Sequence, residues 1–410
     1  MKFVELTQEE FRSFADNHPL RSYLQTPEMA ELKVMDGWEK YFVGVKENNE
    51  IICATMMISY NGRMGKFFNA PRGYLIDFRN KDLLEFFTKK IKKYVKSKGG
   101  YVLKIEPKIY YKERDIDGNL VPNGFDNSDI YDNLINLGYK HGGFYEHLDL
   151  NKQVRWAFVL DISNQTEEEV FSKFKPNTRN TIRKNLKNGV SVRELAYDEL
   201  EKFTEIVESS GSRKNFHSRK TEYYQKMYNL FHPKEQVKFL VTELDVDQYI
   251  EELSKEKTEI IKKKDKLSDS VSTKARKAEF SSQIEVLESR IKEAQEQKLK
   301  YGKTLMMAGA MFMLYGDESV YLYSGTKSEF MTLKSQYLLQ WHIIQYGIKK
   351  DYKLHNFYGI NGNFSKDDDR FGVYTFKKGF GGTVVEYIGD FDLVTSPGKY
   401  YLHKIIDKFK

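Results

Sequence analysis

One order of elements is written twice in this chain, and few folds accommodate that. Between Lys40 and Pro107 the sequence passes through two apolar strand-like segments, KYFVGVK and IICATMMIS, a turn at Asn61-Gly62, and a third segment, KFFNAPRGYLI. A helix pattern from Lys81 to Lys98 and a last strand, YVLKIEP, complete the set. From Val237 to Asn361 the order returns as VKFLVTEL, MMAGAMFMLY, a turn at Gly316-Asp317, VYLYSGT, a helix around Leu333 to Lys349, and LHNFYGIN. A hairpin, a strand, a helix and a strand repeated at this distance imply a duplicated domain. Each strand, helix, strand passage implies a parallel crossover whose strand ends open on one edge. At 410 residues the chain is too long for one ordinary core, and its 40% hydrophobic and 14% aromatic residues supply ample material for more than one.

The second copy is interrupted. Residues 246 to 300 are nearly free of aromatics and dense in Lys and Glu. Val246, Leu253, Ile260 and Leu267 fall seven apart, with Ile250 between them. After the polar turn Ser268 to Thr273, Phe280, Ile284, Leu287, Ile291 and Ala294 follow at spacings of four, three, four and three. Seam, turn, seam predicts an antiparallel helical hairpin with arms of about 25 residues, roughly 35–40 Å long. A hairpin returns the chain to where it left, so a sheet tolerates it between neighbouring strands. The expected division is therefore 1–152 for the first domain, 153–245 with 301–410 for the second, and 246–300 for the arm.

Several classes of chemistry find no support. No charged segment followed by an apolar run opens the chain and no stretch approaches eighteen apolar residues, so a cytoplasmic protein is expected. The single Cys53 leaves no internal disulfide or multi-cysteine metal site and reads as a small core hydrophobe. The histidines are scattered without an H-x-x-x-H pair, the run Asp367 to Asp369 reads as a polar loop, and neither a nucleophile elbow nor a P-loop occurs, so no metal or cofactor is expected. The net charge of +7 is modest, and its placement says more. From Phe171 to Arg193 the chain carries Lys173, Lys175, Arg179, Arg183, Lys184, Lys187 and Arg193 without one acidic residue. Such a run fits a polyanion, tRNA or a diphosphate, and equally a solvated helix face.

Ligands of α/β sheets bind beyond the ends of the strands, which puts the chemistry between Tyr321 and Gly382. The repeated plan resembles the GNAT acyltransferase fold, a mixed sheet split where an acyl donor enters. A coenzyme A donor would need a Gly-rich turn opening the central helix, where backbone N–H groups hold the pyrophosphate. The segments Ala70 to Tyr74 and Ser324 to Ser328 stand there instead, so a different donor is expected. Acyl transfer to an amine passes through an oxyanion that needs a donor or cation beside it. Lys377, in the segment Tyr374 to Gly382 after an expected strand end, is the candidate, with Phe376 walling the pocket and Lys378 as the adjacent alternative.

The segments LYSGT, NFYGING, YTFKKGF and VEYIGDF resemble those of the Fem-type peptidoglycan aminoacyltransferases, including the streptococcal MurM/MurN branch. The likeness covers essentially the whole chain. It implies an α+β protein of two GNAT-like domains with a coiled-coil hairpin in the second, moving an amino acid from aminoacyl-tRNA onto a peptidoglycan precursor. The acceptor would be the amine of the stem peptide or its growing branch, on lipid II or on a nucleotide-linked muropeptide. A lipid-linked acceptor implies peripheral contact with the inner membrane face. The resemblance makes the Phe376-Lys377 pair a catalytic feature and Glu106 an acceptor-side carboxylate that holds or deprotonates the amine. Most relatives carry Asp there, and the longer Glu leaves a strand-end salt bridge as the alternative. Lys33, in a segment where Met29 replaces a usual Trp, matches a phosphate-contacting lysine. Arg72 and Arg213 are further basic candidates for the diphosphate, and Arg219 a weaker one. Tyr323 and Asp390 match pocket-lining positions, whereas Met331 stands where others carry Arg. Lys175, Arg179, Arg183, Lys184 and Lys187, with the hairpin, would grip tRNA, although a spacer or dimerisation arm reads equally from the hairpin. Two rivals stand beside this reading: a nucleic-acid-binding module without catalysis, and a coenzyme A-dependent N-acetyltransferase. The sequence specifies neither the amino acid transferred nor the oligomeric state.

Overall fold

A computed structural model of the chain describes residues 1–149, 152–214 and 218–407, and in it each copy begins earlier than its apolar strands suggest. The first runs β1 (Lys2–Glu5), α1 (Gln8–Asn17), α2 (Pro27–Met35), β2 (Glu39–Glu47), β3 (Glu50–Gly62), β4 (Gly65–Ala70), α3 (Lys81–Ser97) and β5 (Gly100–Ile105). A connection follows: β6 (Tyr110–Glu113), α4 (Ser128–Asn136), β7 (Lys140–His141), β8 (Trp156–Asp161), α5 (Glu167–Lys173) and α6 (Pro176–Lys187). The second copy is β9 (Val190–Glu194), α7 (Leu200–Lys214), α8 (Thr221–Phe231), β10 (Val237–Asp245), the inserted α9 (Val246–Asp265) and α10 (Val271–Tyr301), β11 (Thr304–Tyr315), β12 (Glu318–Thr326), α11 (Gln336–Lys349) and β13 (Leu354–Gly359). The tail adds α12 (Phe371–Lys378), β14 (Thr383–Tyr387), β15 (Phe391–Val394) and α13 (Pro397–Asp407).

Local sequence explains where these elements start. Thr7 accepts from the Glu10 N–H while the Glu10 side chain reaches back, a reciprocal cap that fixes α1; Asn80 caps α3. Pro27 and Pro176 open α2 and α6, where a missing N–H costs nothing. Helix α3 buries Leu83, Leu84, Phe87, Ile91 and Val95 at helical spacing, and β3 is buried without interruption from Cys53 to Ser59 because both its faces are covered.

The duplication is visible in the sheets. The first has strand order β1-β2-β3-β4-β5-β15-β7 and the second β9-β10-β11-β12-β13-β8-β14-β6. The runs β1 to β5 and β9 to β13 are the same plan, parallel only at β4·β5 and β12·β13. The expected division is crossed twice. Strand β6, drawn with the first domain, pairs with β14 in the second sheet, and β15, drawn with the second, zips onto β5 from Phe391↔Ile105 to Val394↔Val102. Each sheet is thus completed by a strand from the other half. One apolar cluster also bridges them, built from Phe11, Met29 and Met56 of the first copy and Phe203, Met227, Phe231, Phe239 and Met311 of the second.

The copies differ at one junction. Strands β4 and β5 stay paired to their ends, Ala70↔Ile105. Strands β12 and β13 pair only from Glu318↔Leu354 to Val320↔Asn356 and then part, although β12 continues to Thr326 and β13 to Gly359. The parting of the parallel pair therefore occurs in the second copy alone.

Helices α9 and α10 form the hairpin, but with 20 and 31 residues rather than equal arms, or about 30 and about 46 Å. The pairs Lys298–Asp247 and Lys257–Glu288 step in opposite directions along the two helices, which makes them antiparallel. Val246, Tyr249 and Leu253 face Leu287 and Ala294 at the base, and all five belong to the core of the second copy. The Val246 N–H donates to the Lys303 carbonyl at 3.0 Å, closing the insertion where it began.

Candidate functional site

A narrow crevice opens between the copies. Ser22, Tyr23, Leu24, Arg72 and Lys108 line it from the first, Glu318, Val320, Asn356 and Tyr358 from the second, and Val154 and Tyr387 from the connecting segments. Arg72 reaches it because β4 ends in a turn that no other chemistry would hold. Gln25, fully buried, donates to the Met56 and Pro71 carbonyls at 3.1 and 2.8 Å and accepts from the Met56 N–H at 2.8 Å. A Cβ on Gly73 would sit 2.7 Å from Thr55 Oγ1, so the turn closes tightly on this clamp. Arg72 is thereby aimed at the other half. Its guanidinium stacks 3.8 Å over the Tyr387 ring and donates to the Val154 carbonyl at 2.8 Å. It is 6% exposed, so its charge serves the crevice wall, and the outward basic surface expected of it is not formed.

At the end of β5, Glu106 is buried, and its Oε2 has no hydrogen-bond partner among the described residues. Burial raises its pKa above the usual carboxyl range, while the charges of Lys104 and Arg72 pull it back. The strand-end salt bridge is not made: Lys104 pairs at 2.6 Å with Asp390. Burial works against the Asp390 carboxylate, but the charge and hydrogen bond of Lys104 outweigh it and the pKa is lowered. Gly142 makes room, since a Cβ there would lie 2.4 Å from Asp390 Oδ2. Asp390 and Asp392 thus hold the Lys104 ammonium, at 2.6 and 3.4 Å, and Glu106 beside them is the carboxyl whose pKa is raised.

Lys377 lies in the last turn of α12, a helix where a strand-end segment was expected. The reason is local: Tyr374 and Lys377, three apart, are the buried positions, and the glycines from Gly379 onward end the turn. Lys377 is 4% exposed, and its Nζ donates to the Gly359 and Tyr358 carbonyls at 2.7 and 3.1 Å, at the parted end of β13. Lys378 points away, pairing with Asp117 and lying over the Tyr374 ring. The structure therefore separates the two lysines that the sequence left interchangeable. Phe376 stands against Tyr337, ring centroids 4.8 Å apart, and against Phe380 at 5.5 Å, beside the start of α11. Phe376 and Tyr337 wall that side of the split.

Tyr323, on the diverging part of β12, meets the rings of Tyr223 and Tyr224 at 5.9 and 5.7 Å and hydrogen-bonds Arg219. Lys33 is close enough to feel Arg219: burial lowers its pKa, Asp36 opposes this, and the Arg219 charge lowers it further. Two basic side chains that disfavour each other's charge make a place for an anion. The side chain of Arg213 lies outside the described residues. Tyr23 lines the crevice with Tyr358, and burial holds its pKa well above the usual phenol range. Met331 is exposed on the turn before α11.

The basic stretch forms α6, beside the hairpin base, where Gln248 donates to the Lys187 carbonyl at 3.4 Å. Its five candidates divide. Lys175, Arg183, Lys184 and Lys187 are exposed, Lys187 also standing 3.5 Å from Glu252, whereas Arg179 caps α5 by donating to the Ser172 and Phe174 carbonyls. Among the described residues no cluster of His, Cys, Asp or Glu is gathered for a metal, and no helix is long and apolar enough to cross a membrane.

Sequence reasoning overlooked a buried triad behind Lys377. His355 is fully buried, with Nδ1 accepting from Ser319 Oγ at 2.8 Å and Nε2 donating to Gln340 Oε1 at 2.9 Å. Burial, aided by the Lys377 charge, drives its pKa down to about 3, so the imidazole is neutral. The three residues lie on three different elements and share no spacing that a motif could encode.

Two sheets of one plan, one with its parallel strands parted beside a buried ammonium, the other ending in a buried carboxyl, define a tandem GNAT-like fold. The chain belongs to the FemAB family, whose model matches residues 6–408. Aminoacyltransferase FemA of Staphylococcus epidermidis is 32% identical over 420 residues, covering 100% of both chains. That of Staphylococcus aureus strain MRSA252 is 31% identical over 420 residues, covering 100% of this chain and 99% of the relative. The crystal structure of FemX matches with a TM-score of 0.78 at 23% identity, over 98% of this chain and 99% of that one. A tandem GNAT protein from the clavulanic acid biosynthesis pathway matches at 0.50 and 8% identity, over 96% and 98%. The two structural likenesses speak to fold alone.

Proposed function

We infer that this chain is an aminoacyltransferase that moves an amino acid from aminoacyl-tRNA to the amine of a peptidoglycan stem peptide or its growing branch, building the interpeptide bridge. The end-to-end likeness to FemA enzymes supports the activity. The observation that carries the mechanism is a buried Lys377 at the parted strands of the second copy, together with a buried Glu106 of raised pKa at the end of β5 in the first. An acceptor amine arrives protonated at neutral pH, and Glu106 takes that proton. The amine then attacks the ester carbonyl, the Lys377 charge stabilises the oxyanion, and collapse breaks the ester C–O bond. The departing ribose oxygen takes up the proton released by nitrogen, and no covalent enzyme intermediate forms. Lys33 and Arg219, with Tyr323, would hold the precursor diphosphate. The exposed cations of α6 and the adjoining hairpin would hold tRNA.

We further propose a lipid-linked acceptor, met at the inner membrane face without insertion. The basic pair near Lys33 supports it through attraction to anionic headgroups. The streptocococcal likeness rests on motifs alone, and the staphylococcal FemA relatives are the better guide to the type of enzyme. The test offers charged tRNA and acetyl-CoA as donors with lipid-linked and nucleotide-linked acceptors at matched concentration and anionic vesicles present. Transfer of the aminoacyl group to the lipid-linked acceptor is expected. Transfer of acetyl instead would overturn the activity. Preference for the nucleotide-linked acceptor, without sedimentation on vesicles at low salt, would overturn the membrane-surface reading only.

A further inference from the structure

The two groups on which that mechanism rests belong to different halves of the molecule, and hydrogen bonds run from the strand end that carries Glu106 to Lys377. Two residues beyond Glu106, Lys108 donates from Nζ to Glu318 Oε2 at 2.6 Å and to the Arg21 carbonyl at 3.0 Å. Burial alone would lower the Lys108 pKa, but the Glu318 carboxylate outweighs it and the ammonium is retained. The other oxygen, Glu318 Oε1, accepts from Asn356 Nδ2 at 2.8 Å. Asn356 Oδ1 in turn accepts the Tyr358 N–H at 2.8 Å. The Tyr358 carbonyl and its neighbour at Gly359 are the two that hold Lys377.

Asn356 sits at the last paired position before β12 and β13 part. Beyond it the backbone enters the left-handed region at Tyr358, with φ of 65°. A bulky residue adopts that conformation only where its surroundings impose it. The Asn356 side chain does so by taking the N–H that the parted strand no longer offers to a neighbour, as Asn does in turns. Glu318 and Asn356 are 8% and 5% exposed, so neither is replaceable by water at little cost.

We propose that Asn356 and Glu318 are positioning residues for the transfer reaction: through the left-handed Tyr358 they shape the carbonyl cradle of Lys377, and through Lys108 they tie it to the strand end that carries Glu106. This rests on the assignment of Lys377 and Glu106 above. It makes the split an imposed geometry instead of a consequence of poor pairing. It also means that the alignment of the two reacting groups depends on crevice-wall side chains that carry no reacting atom.

The directions of these bonds supply the test. A glutamine at 318 has one acceptor where the carboxylate has two, so Glu318→Gln serves Lys108 or Asn356 but not both. Asn356→Asp keeps the acceptor for Tyr358 but loses the donor to Glu318. In the double variant the amide at 318 accepts from Lys108 and donates to the carboxylate at 356, which still accepts from Tyr358, so every link is restored with one bond reversed. Turnover and KM for both substrates are measured on the full chain, with thermal denaturation beside them. Each single variant is expected to lose roughly 10- to 100-fold in kcat, the cost of a misplacement near 1 Å, with KM little changed. The double variant recovers most of that loss. Parental turnover in both single variants, or a double variant no faster than the slower single, overturns the proposal. If Asn356→Asp fails to fold, Glu318→Gln and Lys108→Met carry the test, with a fall in kcat at unchanged KM expected and parental kcat in both refuting it. Lys377→Ala runs alongside: parental turnover there defeats the underlying mechanism, whereas a slow Lys377→Ala with an unrescued double variant defeats the chain alone.

Discussion

Removing the Lys377 ammonium has two consequences of different kind, and their separation is the sharpest check on the mechanism. In the folded protein Nζ satisfies two backbone carbonyls, at Tyr358 and Gly359. A hydrogen bond to a charged group contributes about 1.5–3 kcal/mol, so Lys377→Ala is expected to cost about 2–4 kcal/mol of stability, allowing for water entering the space. A lost oxyanion donor costs about 10²–10³ in kcat, or about 2.7–4 kcal/mol of barrier, with binding of both substrates nearly unchanged. Lys378→Ala is the internal control. It loses a partly solvated pair with Asp117, worth about 0–1 kcal/mol, and no transition-state contact. The assay is single-turnover transfer of a labelled amino acid from aminoacyl-tRNA at saturating acceptor, run well below the melting temperature of each variant. Near-parental single-turnover rates for Lys377→Ala, or an equal loss in Lys378→Ala, would refute the reasoning.

Glu106→Gln is expected to slow transfer sharply and yet raise the melting temperature at pH 8, because it removes a carboxyl that burial penalises when ionised. The sign follows from the raised pKa: the native state holds this proton more tightly than the unfolded chain, so the parent loses stability as pH rises above the ordinary carboxyl range. The gain in Glu106→Gln should therefore shrink as pH falls towards 4.5, and a gain constant with pH in parallel melts would contradict it. In the basic helix, Arg183→Gln with Lys184→Gln should weaken tRNA binding and flatten its salt dependence, whereas Arg179→Gln, which removes a cap of α5, should lower stability more than affinity; titrations at several salt concentrations separate the two. Removing the whole of 246–300 takes Val246, Tyr249, Leu253, Leu287 and Ala294 out of the second core and should lower the melting temperature. Replacing 256–284 by a short Gly-Ser link spares those residues, and the trimmed protein should stay folded and bind tRNA more weakly; parental affinity would mean the distal arm is not a tRNA grip.

What could be read from the sequence follows the range over which each physical signal acts. The duplicated strands and the hairpin declare themselves because burial periodicity and heptad spacing are local. Strands β1 and β9 are four and five residues long and half-buried, too short to show a period, and the helix pairs α1, α2 and α7, α8 do not share the spacing of the strands around them. The exchange of β6 and β15 was not legible. FDLV is a buried strand in either sheet, and nothing in four residues names Ile105 to Val102 as its partner. Lys377 was found by motif, but its direction needed the helix: the three-residue step from Tyr374 turns it inward and Lys378 outward. Arg72 shows a different limit: as a basic candidate for the diphosphate it carries no direction in the sequence, and only the fold supplies Tyr387 and Val154 as its partners.

The two copies explain how one site comes to need both. In an isolated GNAT-like sheet the donor slot and the acceptor surface compete for the same parted strands. Here the first copy keeps β4 and β5 zipped to the end and presents Glu106 just beyond the last pair, while Gln25 stitches the adjoining turn to β3. It can no longer admit a donor, and what it offers is a rigid wall with a carboxyl on it. The second copy opens after three pairs and keeps the slot. Rigid opposition of wall and slot then depends on the joint between the halves, and the joint is unusually well made: two exchanged strands, one shared apolar cluster, Arg72 stacked on Tyr387, and Lys108 bound to Glu318. A domain hinge at this point would separate Glu106 from Lys377.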